Sequence, residues 1–101
     1  MVSSLNGIRV FEWELSKEVE NIRKHKLFFA EAVESFLDPA GFLLVDEKHS
    51  TGEKRFYWIG KISTGRVLTT WFTKRASKIR IIGCAEWRKF RRLYHETTKT
   101  K

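Results

Sequence analysis

Apolar residues recur at helical spacing in two early segments and again near the end of the chain, with strand-like runs between them. Leu15, Val19 and Ile22 fall at i, i+4 and i+7, while Lys17, Glu18, Asn21 and Arg23 point elsewhere. This predicts a helix from Glu14 to about His25 with those three residues as its apolar face. A second helix, roughly Phe28 to Leu37, carries Phe29, Ala32, Val33, Phe36 and Leu37 as a stripe. Asp38-Pro39-Ala40-Gly41 ends it, because proline disfavours helix in the residue before it. Ile8 to Trp13 reads as a short strand ahead of both helices. After the break, strands are expected at 42–45, 55–62, 66–73 and 78–84, with a polar loop at 46–54 and the turn Ser63-Thr64-Gly65 closing a hairpin. The last helix, about Ala85 to Glu96, sets Trp87, Phe90 and Tyr94 on one face and Arg88, Lys89, Arg91 and Arg92 on the rest. Residues 1–7 and 97–101 are expected to fray. The order β-α-α-β-β-β-β-α predicts one α+β domain over residues 1–101, a largely antiparallel sheet with helices packed on one side.

Composition narrows the class. A chain of 101 residues fits one domain, and 42% hydrophobic content supplies a core without disulfides or a metal. The single cysteine, Cys84, excludes an internal disulfide, and its apolar neighbours make it a small buried hydrophobe rather than a nucleophile. No apolar run approaches the ~20 residues of a membrane span. The first seven residues lack the basic and apolar regions of a signal peptide, so a cytoplasmic protein without a membrane partner is expected.

Charge adds more. Residues 74–101 hold ten Lys/Arg against Glu86 and Glu96, while the other ten basic and ten acidic residues, all before position 74, cancel. The whole net charge of +8 therefore sits in the last 28 residues. Crowded like charges repel, and an anionic partner relieves them; RNA or DNA fits, since Lys and Arg release counterions from phosphates.

The histidines His25, His49 and His95 lack metal-site spacing, and there is no nucleophile elbow and no glycine-rich phosphate loop. No metal or cofactor is called for. Strand alternation puts Thr69, Trp71, Thr73 and Arg75 on one face, and Leu68, Thr70 and Phe72 on the other. Arg80 points away from Ile79 and Ile81, alongside Ile82 and Cys84. Arg75 and Arg80, with Arg55 or Arg66, are thereby expected around one concave patch. Guanidinium groups match phosphate bidentately, and RNA can be cut without a metal by its own 2′-hydroxyl, given a base, an acid and cations. The same arginines also read as solvated charges on an exposed sheet face. Trp58 and Trp71 read as core aromatics or as stacking platforms, and His25 as a helix C-terminal cation or a catalytic group. His49 and Glu53 lie in a polar loop, where function concentrates.

The order of motifs resembles that of BrnT-type toxins of bacterial type II toxin–antitoxin systems. It begins with Phe11-Glu12-Trp13, Lys17, Asn21 and Lys24-His25, and continues with Glu31-Ala32, Phe36 and Asp38-Pro39. Asp46 with His49-Ser50, Glu53 with Arg55, Ile59-Gly60, Gly65-Arg66, Phe72-Thr73 with Arg75, and Arg80-Ile81-Ile82 complete it, over roughly residues 10–83. The resemblance implies a compact RelE-like ribonuclease fold and an RNA-cleaving toxin that blocks translation. It also implies a partner, a ribbon-helix-helix antitoxin whose complex with the toxin, a heterotetramer, represses its own operon.

On this reading Arg75 and Arg80 meet transition-state charge, and Lys24, His25 and Glu53 are the proton-transfer candidates, acid and base unassigned. Arg55, Arg66 and Thr73 position phosphate, and Arg88, Lys89, Arg91 and Arg92 hold RNA. Two departures stand out. Lys26 replaces the glycine usual after Lys-His, so the helix is expected to end without its left-handed cap. Gly83-Cys84-Ala85 replaces Ser-Ala-Arg, which removes a cation that Arg88 or Lys89 would have to supply. The competing readings are a non-catalytic nucleic-acid-binding module and an inactive relative acting through a protein–protein complex.

Overall fold

Residues 67–70 are buried in an unbroken run, which means that both faces of their strand are covered. That pattern organises the fold. The computed structural model describes residues 2–5 and 9–99. The elements, in chain order, are β1 (Val2–Leu5), β2 (Arg9–Glu12), α1 (Leu15–His25), α2 (Phe29–Ser35), β3 (Phe42–Val45), β4 (Arg55–Lys61), β5 (Val67–Arg75), β6 (Lys78–Ala85) and α3 (Arg88–Lys99). They form an α+β fold with one sheet in the order β1-β2-β6-β5-β4-β3.

Several expectations need correction. The sheet is mixed, because β2 runs parallel to β6 while the other neighbours are antiparallel; side-chain periodicity fixes a strand's faces but not the direction of its partner. The helices lie on both sides. Phe29, Ala32 and Val33 of α2 pack with Leu68 and Phe72, whereas Tyr94 and Phe90 of α3 pack with Ile59, Val67 and Tyr57 on the opposite face. The two-sided burial of β5 demands this arrangement. Residues 2–5 pair with β2 as a strand, and residues 97–99 continue α3, instead of fraying. Expectations for residues 1, 6–8, 100 and 101 fall outside the described residues.

Finally, Leu15 and Val19 are 64% and 57% exposed, and the buried residue of α1 is Asn21. The physical reason is where α1 sits. It runs beside the edge of β6 that β2 leaves unpaired, and that edge offers backbone donors. Asn21 Oδ1 accepts the Cys84 N–H at 2.9 Å, and its Nδ2 donates to the Leu27 carbonyl at 3.1 Å and lies 3.5 Å from Cys84 Sγ. A polar side chain therefore faces in. Cys84 is fully buried among core residues, and burial pushes its thiol up to about 12.

The cap of α1 also departs from expectation. Lys26 itself takes the left-handed conformation (φ 58°, ψ 36°), and its N–H bonds the Ile22 carbonyl at 2.9 Å. A Cβ in that region is strained, so Lys26→Gly is expected to raise stability by about 0.5–1 kcal/mol. A urea midpoint that stays level or falls would contradict this.

Candidate nucleic-acid cleavage site

Helix α3 covers the β3–β4–β5 end of its face and leaves the rest open. Across the open part, Cα pairing sets Arg55, Thr73, Arg80 and Glu12 in one row over β4, β5, β6 and β2. Adjacent strands are ~4.8 Å apart, so the row spans about 15 Å. Arg75 and Lys78 form the next row, beside the hairpin turn, and Trp71 and Gly83 the one before. The Trp71–Gly83 row, unlike the other two, depends on an irregularity in β6. Ile82 has no partner between the pairs Trp71–Gly83 and Phe72–Ile81, and this extra residue reverses the alternation. As a result Cys84 joins Ile79 and Ile81 in the core, rather than sharing a face with Arg80 as simple alternation predicts.

The arginines are held by carboxylates from distant parts of the chain. Arg80 donates to Glu12 at 3.1 Å and to Glu14 at 2.6 Å. Arg75 donates to Glu53 from two nitrogens, at 3.0 and 3.2 Å. Arg55 Nε lies 3.5 Å from Asp46, without a hydrogen bond, and the neighbouring Thr73 hydroxyl is buried without a partner as well. Unsatisfied buried polar atoms are rare, and two adjacent ones leave hydrogen-bonding capacity in the middle of the row. Arg75, Arg80 and Arg55 thus come together. Arg66 does not join them; it lies at the far end of β5, paired with Glu86 at 2.9 Å and Glu31 at 3.7 Å.

Lys24 and His25 flank the open face from the end of α1. They line a shallow pocket with Trp71, and the His25 ring meets Trp71 edge-on at 5.9 Å. Lys24 pairs with Glu20 at 3.2 Å. On its other side Trp71 stacks on Trp87, 4.9 Å apart with planes 10° from parallel. The Trp71 indole also fills the space a Cβ on Gly83 would take, approaching that position to 2.3 Å, so only glycine fits there. Glu53, a proton-transfer candidate by sequence, has its carboxyl held below the ordinary range by the Arg75 hydrogen bond, which outweighs desolvation. That makes it a weak base and a firm orienter of Arg75.

Arg88, Lys89, Arg91 and Arg92 are exposed on α3, and Lys89 Nζ sits 5.6 Å over its neighbour's ring at Phe90. Ala85 is buried opposite Thr69. Among the described residues no group of three or more His, Cys, Asp or Glu side chains is placed to hold a metal ion, and no helix is long and apolar enough to cross a membrane.

The family model for "Ribonuclease toxin, BrnT, of type II toxin-antitoxin system" matches residues 13–90. The chain belongs to the BrnT toxin family. That family comprises ribonuclease toxins of type II toxin–antitoxin systems, which pair a toxin with an antitoxin. The chain is similar in fold to the crystal structure of the Brucella abortus ribonuclease toxin BrnT, with a TM-score of 0.61 and 22% sequence identity. That likeness covers 79% of this chain and 96% of the other. No curated protein matches the sequence significantly.

Sequence reasoning missed the partners of these BrnT-family arginines. Glu12 and Glu14 flank Trp13 with nothing in their spacing to link them to Arg80, 66–68 residues away. Asp46 and His49 carried a local signal, the Asp-x-x-His spacing of a capped turn, but not the burial that gives it weight.

Proposed function

We propose that this BrnT-family protein is a metal-independent endoribonuclease, RelE-like in fold kinship, that cleaves RNA in the cytoplasm and blocks translation. A ribbon-helix-helix antitoxin neutralises it in a DNA-binding heterotetramer. The observation that carries this reading is the Arg55–Thr73–Arg80 row with Arg75 beside it, on a face left open in a family of ribonuclease toxins. Attack by the 2′-hydroxyl gives a pentavalent phosphorane with added negative charge. Pre-oriented guanidinium groups stabilise that charge without reorganising. Glu12, Glu14 and Glu53 fix the geometry of Arg80 and Arg75 before substrate arrives. Lys24 and His25 stand at the Trp71 flank as candidates to move protons. Arg88, Lys89, Arg91 and Arg92 extend a cationic track along α3 that holds the RNA backbone; Arg66, remote from the row, would contact a distal phosphate at most.

Purified protein incubated with single-stranded RNA tests this. Cleavage is expected to persist in excess EDTA and to leave 2′,3′-cyclic phosphate ends. RNA that is bound but left whole, with a steep salt dependence, favours the non-catalytic binding module instead.

A further inference from the structure

One constellation on the open face has no part in the site as drawn. Asp46 and His49 belong to the loop between β3 and β4, where a single 3-10 turn (Glu47–His49) begins under an Asp46 cap. Asp46 is 4% exposed, an unusual burial for a carboxylate. Its partners account for that. His49 Nδ1 lies 2.9 and 3.1 Å from the two carboxylate oxygens, the His49 N–H donates at 3.3 Å, and Tyr57 adds a hydrogen bond. Arg55, at one end of the arginine row, approaches the same carboxylate to 3.5 Å. Desolvation pushes the Asp46 acid up, but the His49 and Tyr57 hydrogen bonds outweigh it and hold the carboxyl below its ordinary range.

His49 itself is different. Its side chain is 51% exposed, so the ring projects from a buried anchor. With Nδ1 facing both carboxylate oxygens, the ring proton of the neutral imidazole sits on Nδ1 and the Nε2 lone pair faces away from Asp46. A buried carboxylate that fixes an exposed imidazole in one tautomer is the arrangement acid–base catalysis requires. A purely structural histidine here would need no accessible ring.

We propose that His49 is the general base of the RNA-cleaving site, with Asp46 as its positioning residue. This rests on the nuclease reading above. In the step it performs, Nε2 takes the proton of a 2′-hydroxyl and the 2′-oxygen forms a bond to phosphorus. The bond from phosphorus to the 5′-oxygen breaks, and that oxygen leaves with a proton from water. The His49 imidazolium returns its proton to solvent, and the product is a 2′,3′-cyclic phosphate. Arg55, sharing Asp46 with His49, couples the base to the row that binds the phosphate.

The test uses the full chain and a fluorescent single-stranded RNA. His49→Ala is expected to lower kcat by about 10²–10⁴-fold with KM within threefold; because the change also takes a partner from the buried Asp46, its melting temperature is expected to fall, and circular dichroism well below that temperature checks that the variant is folded. Added imidazole should restore part of that kcat, a rescue a structural role would not give. Asp46→Asn, which keeps the shape of the side chain, is expected to lower kcat by a smaller factor and to show no imidazole rescue, since its base is still present. His49→Ala that cleaves at the wild-type rate, or that loses activity with no imidazole rescue, overturns the assignment while wild-type cleavage upholds the nuclease reading. Wild-type protein that leaves RNA whole overturns both.

Discussion

Arg80→Ala is expected to lower RNA cleavage by about 10²–10³-fold, the usual effect of removing one pre-oriented donor from a developing oxyanion, and to abolish growth arrest. Two effects add. The variant loses a cation in the centre of the row, and where phosphate must approach it leaves Glu14 without its arginine and Glu12 with only Lys78, 3.8 Å away. Glu12 is 17% exposed, so the charge that Lys78 does not offset is only partly screened. Arg80→Lys keeps the charge but cannot reach Glu12 and Glu14 at once through two guanidinium nitrogens, and it should recover only part of the rate. Arg75→Ala should follow Arg80→Ala with a smaller loss, since Arg75 is 54% exposed. A gel-based cleavage assay beside circular dichroism checks both. Two folded variants that cleave at the wild-type rate would remove the arginine row from the chemistry.

Asn21→Ala is expected to be among the costliest polar substitutions in the fold. Its amide meets the Cys84 N–H and the Leu27 carbonyl in a buried setting. Alanine leaves both backbone groups without a partner, at about 1–3 kcal/mol each. The total, on the order of 2–6 kcal/mol, is a large share of the ~5–15 kcal/mol that holds a typical domain together. A fall in melting temperature of roughly 20 °C is expected at the middle of that range. Cys84 provides an independent reading, because burial pushes its thiol up to about 12 and alkylation requires opening. Labelling should accelerate in the variant. Activity should fall too, because Lys24 and His25 lie within about one helical turn of Asn21 on the element this residue anchors. A melting temperature within about 3 °C of wild type, equivalent to a loss of about 0.5 kcal/mol, would show that α1 is held by other means.

Much of the fold was legible because period reports which side of an element is apolar. Phe29, Ala32 and Val33 on α2, and Tyr94 on α3, are buried as their spacing predicts. The strand pattern placed Thr73 with Arg75 on one face, and the registers of β4 and β6, which only the structure shows, add Arg55 and Arg80 beside Thr73. What failed did so for identifiable reasons. Leu15 and Val19 keep helical spacing yet face solvent, since the neighbouring sheet edge needs hydrogen bonds more than apolar cover. Arg66 has the residue type of the site but not the position, because a strand of nine residues separates its ends. Lys26 takes the left-handed cap that its residue type argues against.

By itself the sequence determined the element types, the family, and the segregation of net charge into residues 74–101. These depend on local spacing and on motif order, which need no knowledge of what lies opposite. Only the tertiary structure decided what that charge meets. Folding brings Glu12, Glu14 and Glu53, from the neutral part of the chain, onto Arg80 and Arg75, and ties His49 to a buried Asp46. Charge pairing falls off with distance in space and not along the chain, so the basic segment becomes a set of fixed, carboxylate-oriented guanidinium groups only when the sheet closes.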